Sequence, residues 1–344
     1  MAESVKFEFG NHSDVGQVRK ANEDYFGSAS GEFGDLFIVC DGMGGYKGGR
    51  VASTTAVESI QRHFKTVKKD ADLRIELFNS LKLANKEIVE KADVDDELGK
   101  MGSTAVVALL HNTELYFAHI GDSRIYRVRD DVIERLTRDH SLVQEMVDNG
   151  IINEEQAEAH PQKNVILRSL GPNGNSEPQV DPRDEVLFKD DYIILCSDGL
   201  TGHVEDFEIK ETVLKYPPQQ ACIKLVEMAN ERGGKDNITV QVIKITDGKK
   251  RATSLRDMAK LKQAAIVAAV AFVVLILWYA LSNFNQEIKI IAPVQDTTKT
   301  VKRAPANIEE DSSSTVGDDK NGGADAAKKP LKDPKGNEKP NPQN

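Results

Sequence analysis

The sequence predicts an α+β fold, in which helices and antiparallel strands mix without regular alternation. Apolar residues recur every three or four positions from residue 73 to residue 88, which is typical of a helix with one buried face. Between residues 103 and 136, short runs of β-branched and aromatic residues are broken by polar turn residues at the spacing of hairpins. Such hairpins pair antiparallel, so a doubly wound parallel sheet is not predicted.

The remaining elements follow in chain order within residues 1–246, a length that suits one domain, and we find no internal repeat. An apolar run at 36–40 predicts a strand that ends before Asp41. Later strands and the amphipathic helices are predicted from the same two periodicities. The predicted helices are 50–64, 73–88, 142–149 and Pro218–Glu231, and the later strands are Tyr192–Cys196 and 238–245.

The composition excludes several classes of protein. The 344 residues, 39% of them hydrophobic and 29% charged, suffice to bury one sizeable core. A net charge of −10 argues against a protein that coats nucleic acid, so no nucleic-acid partner is predicted. The three cysteines include no C-x-x-C pair, so we predict neither a disulfide framework nor a structural zinc site.

One segment is long and apolar enough to cross a membrane. Residues 264–281 are eighteen residues without a charge, and as a helix they would span about 27 Å of a hydrocarbon core about 30 Å thick. A buried core helix is the alternative interpretation. Residues 1–20 carry three acids and no unbroken apolar stretch, so no secretory signal peptide is expected.

Charge on either side of this segment predicts its orientation. Six Lys and Arg residues lie between 249 and 262, whereas the first basic residue downstream is Lys289. The positive-inside rule therefore leaves the N-terminal part in the cytoplasm, as a single-pass protein of the plasma (inner) membrane. Residues 247–263 form a basic juxtamembrane segment in this interpretation. Residues 282–344, rich in Lys, Asp, Asn, Gly and Pro, are predicted to be a disordered extracytoplasmic tail.

Acidic residues stand repeatedly where an apolar strand meets glycine. Asp41 follows LFIVC, Asp122 follows YFAHIG, Asp198 follows YIILCS, and Asp236 lies in GGKDN before a strand. Carboxylates at strand ends can converge at one edge of a sheet, and oxygen ligands are those that Mg²⁺ and Mn²⁺ prefer. A single such Asp is more often a turn or cap residue. Four in the same setting favour a metal site.

The glycines at 42, 44 and 45 leave two interpretations to compare. They would let backbone carbonyls approach an ion beside Asp41. They also resemble a phosphate-binding P-loop, because Gly44 and Gly49 have nearly its spacing. The next residues are Arg50 and Val51 in place of Lys and Ser or Thr, so the nucleotide-binding interpretation fails at the residues that contact phosphate and metal.

Eight short segments, taken in order, resemble the metal-dependent protein phosphatase family of the protein phosphatase 2C type, in its bacterial branch. Each motif alone is weak, but the ordered set is highly specific and covers about residues 5–245. The segments are VRKANED (18–24), CDGMGG (40–45), GSTAVV (102–107), IGDSRIYR (120–127), TRDHSLVQEMVDNG (137–150), RSLG (168–171), SDGL (197–200) and GKDNIT (234–239).

The resemblance implies a specific fold and metal centre. The fold would be an α-β-β-α sandwich of two antiparallel sheets flanked by helices. Asp41 would bridge two metal ions, Mn²⁺ or Mg²⁺, and Gly42 would contribute its carbonyl oxygen. Glu23 would hold one of these ions, and Asp198 and Asp236 would hold the other.

Other matched positions acquire supporting roles by the same resemblance. Asp122 would help to bind a third, weaker ion. Arg19 would grip the substrate phosphate and act in catalysis, while Asp24 and Asn237 would orient the ligands. The chain departs from many relatives at Met43, where they carry a His proposed as the general acid. The identity of any general acid is therefore open.

The predicted function is a membrane-anchored protein serine/threonine phosphatase that uses metal-activated water. Its partners would be phosphoproteins, the substrates of a serine/threonine kinase. Two alternatives stay open, a catalytically silent relative that binds phosphoproteins and a transmembrane signalling protein of the same fold. By the same resemblance, the segment 156–175 would lie in the mobile flap of such enzymes, near the site, and would shape substrate choice. His140 is expected to brace a turn.

Overall fold

Two antiparallel sheets lie face to face at the centre of the domain, and helices cover the outer side of each. The computed structural model describes residues 4–45, 47–98, 100–172, 177–183, 185–249 and 255–288. This arrangement is the α-β-β-α sandwich implied by the resemblance, and the predicted fold class is confirmed. The chain divides into two units, 1–264 and 265–344, which are described separately.

The first sheet contains the two terminal strands of the domain. Its strand order is β1-β13-β12-β8-β9, with every neighbouring pair antiparallel. The hairpin expected from the pattern at 103–136 supplies β8 and β9, whereas β1 was not predicted. The strands are β1 (Lys6–Asp14), β8 (Arg124–Arg129), β9 (Val132–Arg135), β12 (Tyr192–Cys196) and β13 (Ile238–Asp247).

The second sheet has the order β10-β7-β6-β3-β2, with β11 also paired to β7. A separate ribbon, β4-β5, lies at the end of this sheet. The strands are β2 (Tyr25–Gly31), β3 (Gly34–Cys40), β4 (Gly42–Met43), β5 (Gly102–Ser103), β6 (Ala105–His111), β7 (Glu114–Ile120), β10 (Gln179–Val180) and β11 (Glu185–Val186).

The predicted helices form with small changes at their ends. The helix expected at 50–64 begins two residues earlier, and the one expected at 73–88 continues to Val94. Asp72 caps the latter by accepting hydrogen bonds from two backbone N–H groups. Three helices were not predicted, namely α4 (Glu154–Glu158), α5 (Asp198–Thr201) and α6 (Asp206–Lys215). The helices are α1 (Gly48–Phe64), α2 (Leu73–Val94), α3 (Leu142–Asp148), α4 (Glu154–Glu158), α5 (Asp198–Thr201), α6 (Asp206–Lys215) and α7 (Pro218–Glu231).

Three apolar layers hold the sandwich together. The first joins α1 and α2 to the second sheet, with Ile60, Leu81 and Ile38 fully buried. The second joins α6 and α7 to the first sheet, and the third lies between the sheets, where Phe37 and Ile193 are buried. Because strands of both sheets are buried on both faces, they read as continuous apolar runs in the sequence.

Strand direction brings the predicted acidic residues to one end of the sandwich. In the second sheet, β3 and β7 both pair antiparallel with β6, so both end at the same edge. In the first sheet, the end of β12 lies opposite the start of β13, with Cys196 paired to Val240. The residues that follow β3, β7 and β12 and those that precede β13 therefore meet.

The last helix is α8 (Leu255–Ile288), and its residues from 265 onward belong to the second unit. Within it, Lys262–Asn283 is long and apolar enough to cross a membrane, with a mean hydropathy of 2.7. This span contains the predicted segment 264–281. The side chains of residues 262–283 are exposed in the described structure, so this stretch is not buried in a protein core. The predicted disordered tail begins at residue 282, but residues 282–288 are the last residues of α8, so the prediction is wrong for this stretch. The tail from residue 289 onward lies outside the described residues.

Two stacked histidines lie behind the edge where the strands meet. The rings of His119 and His140 are 4.6 Å apart between centroids and nearly parallel. His140 Nδ1 accepts a hydrogen bond from the backbone N–H of Gly121, so His140 braces that turn. His119 Nε2 donates a hydrogen bond to the carbonyl oxygen of Arg138. Burial, assisted by the neighbouring His140, lowers the pKa of His119 to about 4.

This depressed pKa predicts a measurable loss of stability in acid. The unfolded chain protonates His119 near pH 6.5 and the folded chain near pH 4, so its contribution is full above pH 6.5 and is lost as pH falls towards 4. His119→Gln keeps the N–H donor but does not titrate. From pH 7.5 to pH 5, the free energy of unfolding of both proteins should fall, and the fall in the variant should be smaller than in the wild type by about 2 kcal/mol. Urea unfolding at both pH values measures the difference, and equal losses would contradict the assignment.

Candidate metal centre

Acidic residues from both sheets meet at the shared end of the sandwich. Asp41 follows β3 and Asp122 follows β7, while Asp198 begins α5 directly after β12. Asp236 precedes β13. The side chains of Asp41 and Asp198 lie close enough for the charge of Asp198 to raise the pKa of Asp41, although the two residues are far apart in sequence and follow strands of different sheets. The convergence expected from the strand ends is therefore present.

Crowding of these carboxylates raises their pKa values. Burial is the main cause for Asp41, and the charges of Asp24 and Asp198 add to it, so the pKa of Asp41 lies well above its usual range. Burial and the charge of Asp198 raise the pKa of Asp122 in the same way. The pKa of Asp198 is raised by burial and by Asp236. Each carboxylate is held in a place where its charge is unfavourable unless a cation compensates it.

Several of these oxygens have no protein partner. Within the described residues, Oδ1 of Asp24, of Asp122 and of Asp198 is buried and accepts no hydrogen bond. Buried polar atoms are normally satisfied, so these oxygens are available to bind a cation or water. Hard divalent cations prefer oxygen ligands, and Mg²⁺ typically takes one or two carboxylates together with waters. The donor set fits Mg²⁺ or Mn²⁺.

The acidic side chains lie near one another, but they do not surround a common position. Among the described residues, no three His, Cys, Asp or Glu side chains are arranged to hold an ion by themselves. One cation of the protein already contacts the group, because Arg19 Nη2 lies 2.7 Å from Asp236 Oδ2. This contact is the largest cause of the raised pKa of the Arg19 guanidinium. Arg19 is thus at the site, where the sequence placed it, and its partner is a predicted metal ligand.

Glycines allow the loop around Asp41 to approach α1 closely. A Cβ atom at Gly42 would lie 2.1 Å from the carbonyl oxygen of Gly49. A Cβ atom at Gly49 would lie 2.6 Å from Glu23 Oε2 and 2.8 Å from the carbonyl oxygen of Gly42. Glu23 and Gly42 therefore present their oxygens to the same small space. Gly49 was missed as a site residue, although the Gly-Gly pair before the helix was a visible signal.

Asn237 ties the Glu23 loop to the first sheet. Its Oδ1 accepts a hydrogen bond from the backbone N–H of Glu23 at 2.8 Å, and its Nδ2 donates to the carbonyls of Val15 and Ala21. Desolvation raises the pKa of the Glu23 carboxyl, and Arg19 opposes this shift. One buried amide therefore fixes the backbone that carries Glu23, in line with the orienting role expected for Asn237.

Asp24 lies behind the cluster and joins the two sheets. Ser197 Oγ donates to Asp24 Oδ2 at 2.8 Å, and the same hydroxyl accepts from the backbone N–H of Thr239. Arg50 donates to the carbonyl oxygen of Asp24. Burial raises the pKa of Asp24 to about 7. Because Ser197 precedes Asp198, this contact positions the start of α5.

Two hydroxyl residues that the sequence did not single out support Asp41. Thr104 Oγ1 accepts from the backbone N–H of Asp41 at 3.0 Å, and the backbone N–H of Thr104 donates to the carbonyl of Asp41. Thr104 and Ser123 share a hydrogen bond of 2.7 Å. Asp41 is thereby linked to the turn that carries Asp122. Met43, in β4, pairs with Gly102 and places a thioether beside this ribbon.

Known proteins resemble this chain both in sequence and in fold. Residues 12–241 match the family model described as Protein phosphatase 2C. The Serine/threonine phosphatase stp of Listeria innocua is 37% identical over 236 residues, which make up 67% of this chain and 93% of that protein.

Two crystal structures share the fold. Serine/threonine phosphatase Stp1 from Staphylococcus aureus has a TM-score of 0.66 and 34% identity, covering 71% of this chain and 97% of that one. The catalytic domain of the serine/threonine protein phosphatase PstP, in complex with two manganese ions, has a TM-score of 0.62 and 32% identity, covering 70% and 99%. The chain therefore belongs to the protein phosphatase 2C family and is a serine/threonine protein phosphatase.

Proposed function

We propose that this chain is a metal-dependent phosphatase anchored in the plasma (inner) membrane, which hydrolyses phosphoserine and phosphothreonine in cytoplasmic proteins. The observation that supports the metal dependence is the set of buried carboxylate oxygens at the shared sheet edge that accept no hydrogen bond from the described residues. The PstP structure in complex with two manganese ions supports the same cofactor class.

The predicted ligands fit this assignment by position. Asp41 would bridge two ions with the Gly42 carbonyl beside it, Glu23 would hold one ion, and Asp198 and Asp236 would hold the other. When bound, the ions would neutralise the crowded carboxylates and acidify water, so that hydroxide is available near neutral pH. Asp122 has a buried oxygen without a partner in the described structure, which supports its role at a third, weaker site.

Arg19 is proposed to bind the substrate phosphate. Its side chain is about half exposed at 51%, and its planar guanidinium can offer two N–H donors to phosphate oxygens. It would then compensate charge that develops on the phosphoryl group in the transition state. The ion pair with Asp236 holds Arg19 at the site before substrate arrives.

Protonation of the leaving group has no side-chain donor at position 43. Met43 carries no acidic proton, and His119 and His140 face each other behind the Gly121 turn. Water is the proton donor in this proposal. The alternative of a catalytically silent phosphoprotein-binding domain keeps the same contacts and differs by the absence of turnover.

The domain boundaries complete the proposal. Residues 1–246 would be the catalytic domain and 247–263 the basic juxtamembrane segment, with the span at 264–281 and the extracytoplasmic tail at 282–344. The apolar span Lys262–Asn283 supports the anchor, and the basic residues before it support a cytoplasmic catalytic domain. Anchoring would raise the local concentration of membrane-bound phosphoproteins.

Replacing the central carboxylates tests the metal-dependent mechanism. Asp41→Asn and Asp198→Asn should each lower Mn²⁺-dependent phosphate release from a phosphothreonine peptide by about a hundredfold or more, because each removes a charge that would hold an ion. Asp93→Asn, an exposed position on α2, is the matched control and should retain wild-type turnover. Binding of the peptide by the wild type without any phosphate release would favour the silent alternative.

Filling the glycine contact tests the ion site without removing a ligand. Gly49→Ala pushes a methyl group against Glu23 Oε2 and the Gly42 carbonyl, so Mn²⁺ affinity measured by titration calorimetry should fall by about tenfold or more. Gly48→Ala is the neighbouring control, because its new methyl would meet Met101 Cβ at 3.1 Å and no site oxygen. Equal Mn²⁺ affinities in the two variants would contradict the assignment.

Removing the apolar span tests the anchor. In bacterial cells the full chain should sediment with membranes, and deletion of residues 264–281 should release it to the soluble fraction. Deletion of residues 290–344 is the control and should leave the chain in the membrane fraction. Protease added to intact spheroplasts should leave the catalytic domain uncut, and digestion of that domain would reverse the proposed orientation.

A further inference from the structure

A cavity of about 650 Å³ leads away from the metal centre. It runs between the segment that contains α3 and α4 and the first turns of α5 and α6. Its inner end includes Asp122 and Asp198, whose Oδ1 atoms are buried and accept no hydrogen bond within the described residues. The volume lies in the range of natural ligand pockets, roughly 300–1,000 Å³. A molecule that reaches the metal centre can therefore extend into this cavity.

The outer part of the cavity is lined by exposed carboxylates. Glu154 and Glu158 lie on α4, and Asp206 begins α6 on the opposite side. In the described structure none of the three makes an ion pair with a Lys, Arg or His side chain. Acidic groups on both sides of a concave surface create a negative potential in the space between them.

The arginines of the cavity wall do not cancel this charge. Arg124 donates through Nε and Nη2 to Asp139, and its Nη1 donates to the hydroxyl of Tyr126. Arg135 donates to Gln144 and also lies 3.8 Å from Asp139. Both guanidinium groups are thus held by partners in the wall. Lys163 is the remaining cation among the described residues that line the cavity.

The lining also suits long basic side chains. Val143, Val147 and Ala157 contribute apolar surface beside the acidic groups. Lysine and arginine pack their methylene chains on apolar surface and direct their charged ends to polar groups. Glutamate or aspartate in the same place would meet Glu154, Glu158 and Asp206 at like charge, which costs affinity.

We propose that this cavity binds the residues next to the phosphoserine or phosphothreonine and selects phosphoprotein segments that carry Lys or Arg there. The inference rests on the proposed function of the metal centre, and it names the substrate class for that site. Glu154, Glu158 and Asp206 are the specificity-determining residues. They act on substrate choice, while the ion ligands and Arg19 act on the phosphoryl group.

The test compares three phosphothreonine peptides. The two residues on each side of the phosphothreonine are all Lys in the first peptide, all Gln in the second and all Glu in the third. The full chain in detergent micelles with Mn²⁺ should show a kcat/KM for the Lys peptide about tenfold above that for the Glu peptide at low salt, with the Gln peptide between them. The ratio should shrink as salt is raised, because these charges are exposed to solvent.

A triple variant tests the named residues. E154Q/E158Q/D206N should reduce the Lys-to-Glu ratio of kcat/KM from about tenfold to about twofold or less. The matched control, E8Q/E32Q/E231Q, removes three exposed carboxylates that do not line the cavity and should keep the wild-type ratio. Thermal unfolding of both variants checks that each is folded.

The outcomes separate this inference from the proposed function. If the wild type hydrolyses all three peptides with Mn²⁺ at similar kcat/KM, the selectivity is overturned and the phosphatase function stands. If both triple variants lose the ratio equally, overall charge and not the cavity sets the preference, which also overturns it. If no peptide and no p-nitrophenyl phosphate is hydrolysed, the proposed function fails and the inference fails with it.

Discussion

Repulsion among buried carboxylates is the constraint on which the site depends. Asp41, Asp122 and Asp198 come from both sheets to one place, where burial and their mutual charge raise their pKa values. Such a group is unfavourable unless something positive sits among its oxygens. The protein supplies part of that charge through Arg19. Among the described residues, several carboxylate oxygens of the group accept no hydrogen bond, and this is the basis of the proposed metal dependence.

Packing and hydrogen bonds hold the loops that carry these carboxylates in place. Three apolar layers hold the sheets and helices in place, and hydrogen bonds from neutral side chains then hold the loops. Asn237 binds the backbone of the Glu23 loop, Ser197 binds Asp24, and Thr104 binds Asp41. Because these contacts are made by amides and hydroxyls, they position the acids without neutralising them.

Much of the fold and of the candidate site was predictable from the sequence, and the features that were missed have physical reasons. Buried strands that end in acid and glycine gave Asp41 and Asp198, and helical periodicity gave α1, α2 and α7, because both patterns are local. The sequence did not reveal that Thr104 contacts Asp41 or that Gly49 contacts Glu23, because these contacts depend on which elements become neighbours in the fold. The short helix α4 has too few turns for a periodic signal, and its capping box at Asn153 is a weak one.

The pairing of β1 with β13 has a consequence for how the protein is made. β1 lies at the edge of its sheet, and in the described structure its one partner strand is β13, so the first strand of the domain must wait for the last strand to be synthesised. Glu23 and Asp41 are likewise translated long before Asp198 and Asp236. A nascent chain that ends before residue 198 lacks both Asp198 and Asp236, and one that ends before β13 lacks the partner of its first strand. The carboxylates therefore come together only when synthesis of the domain is nearly complete.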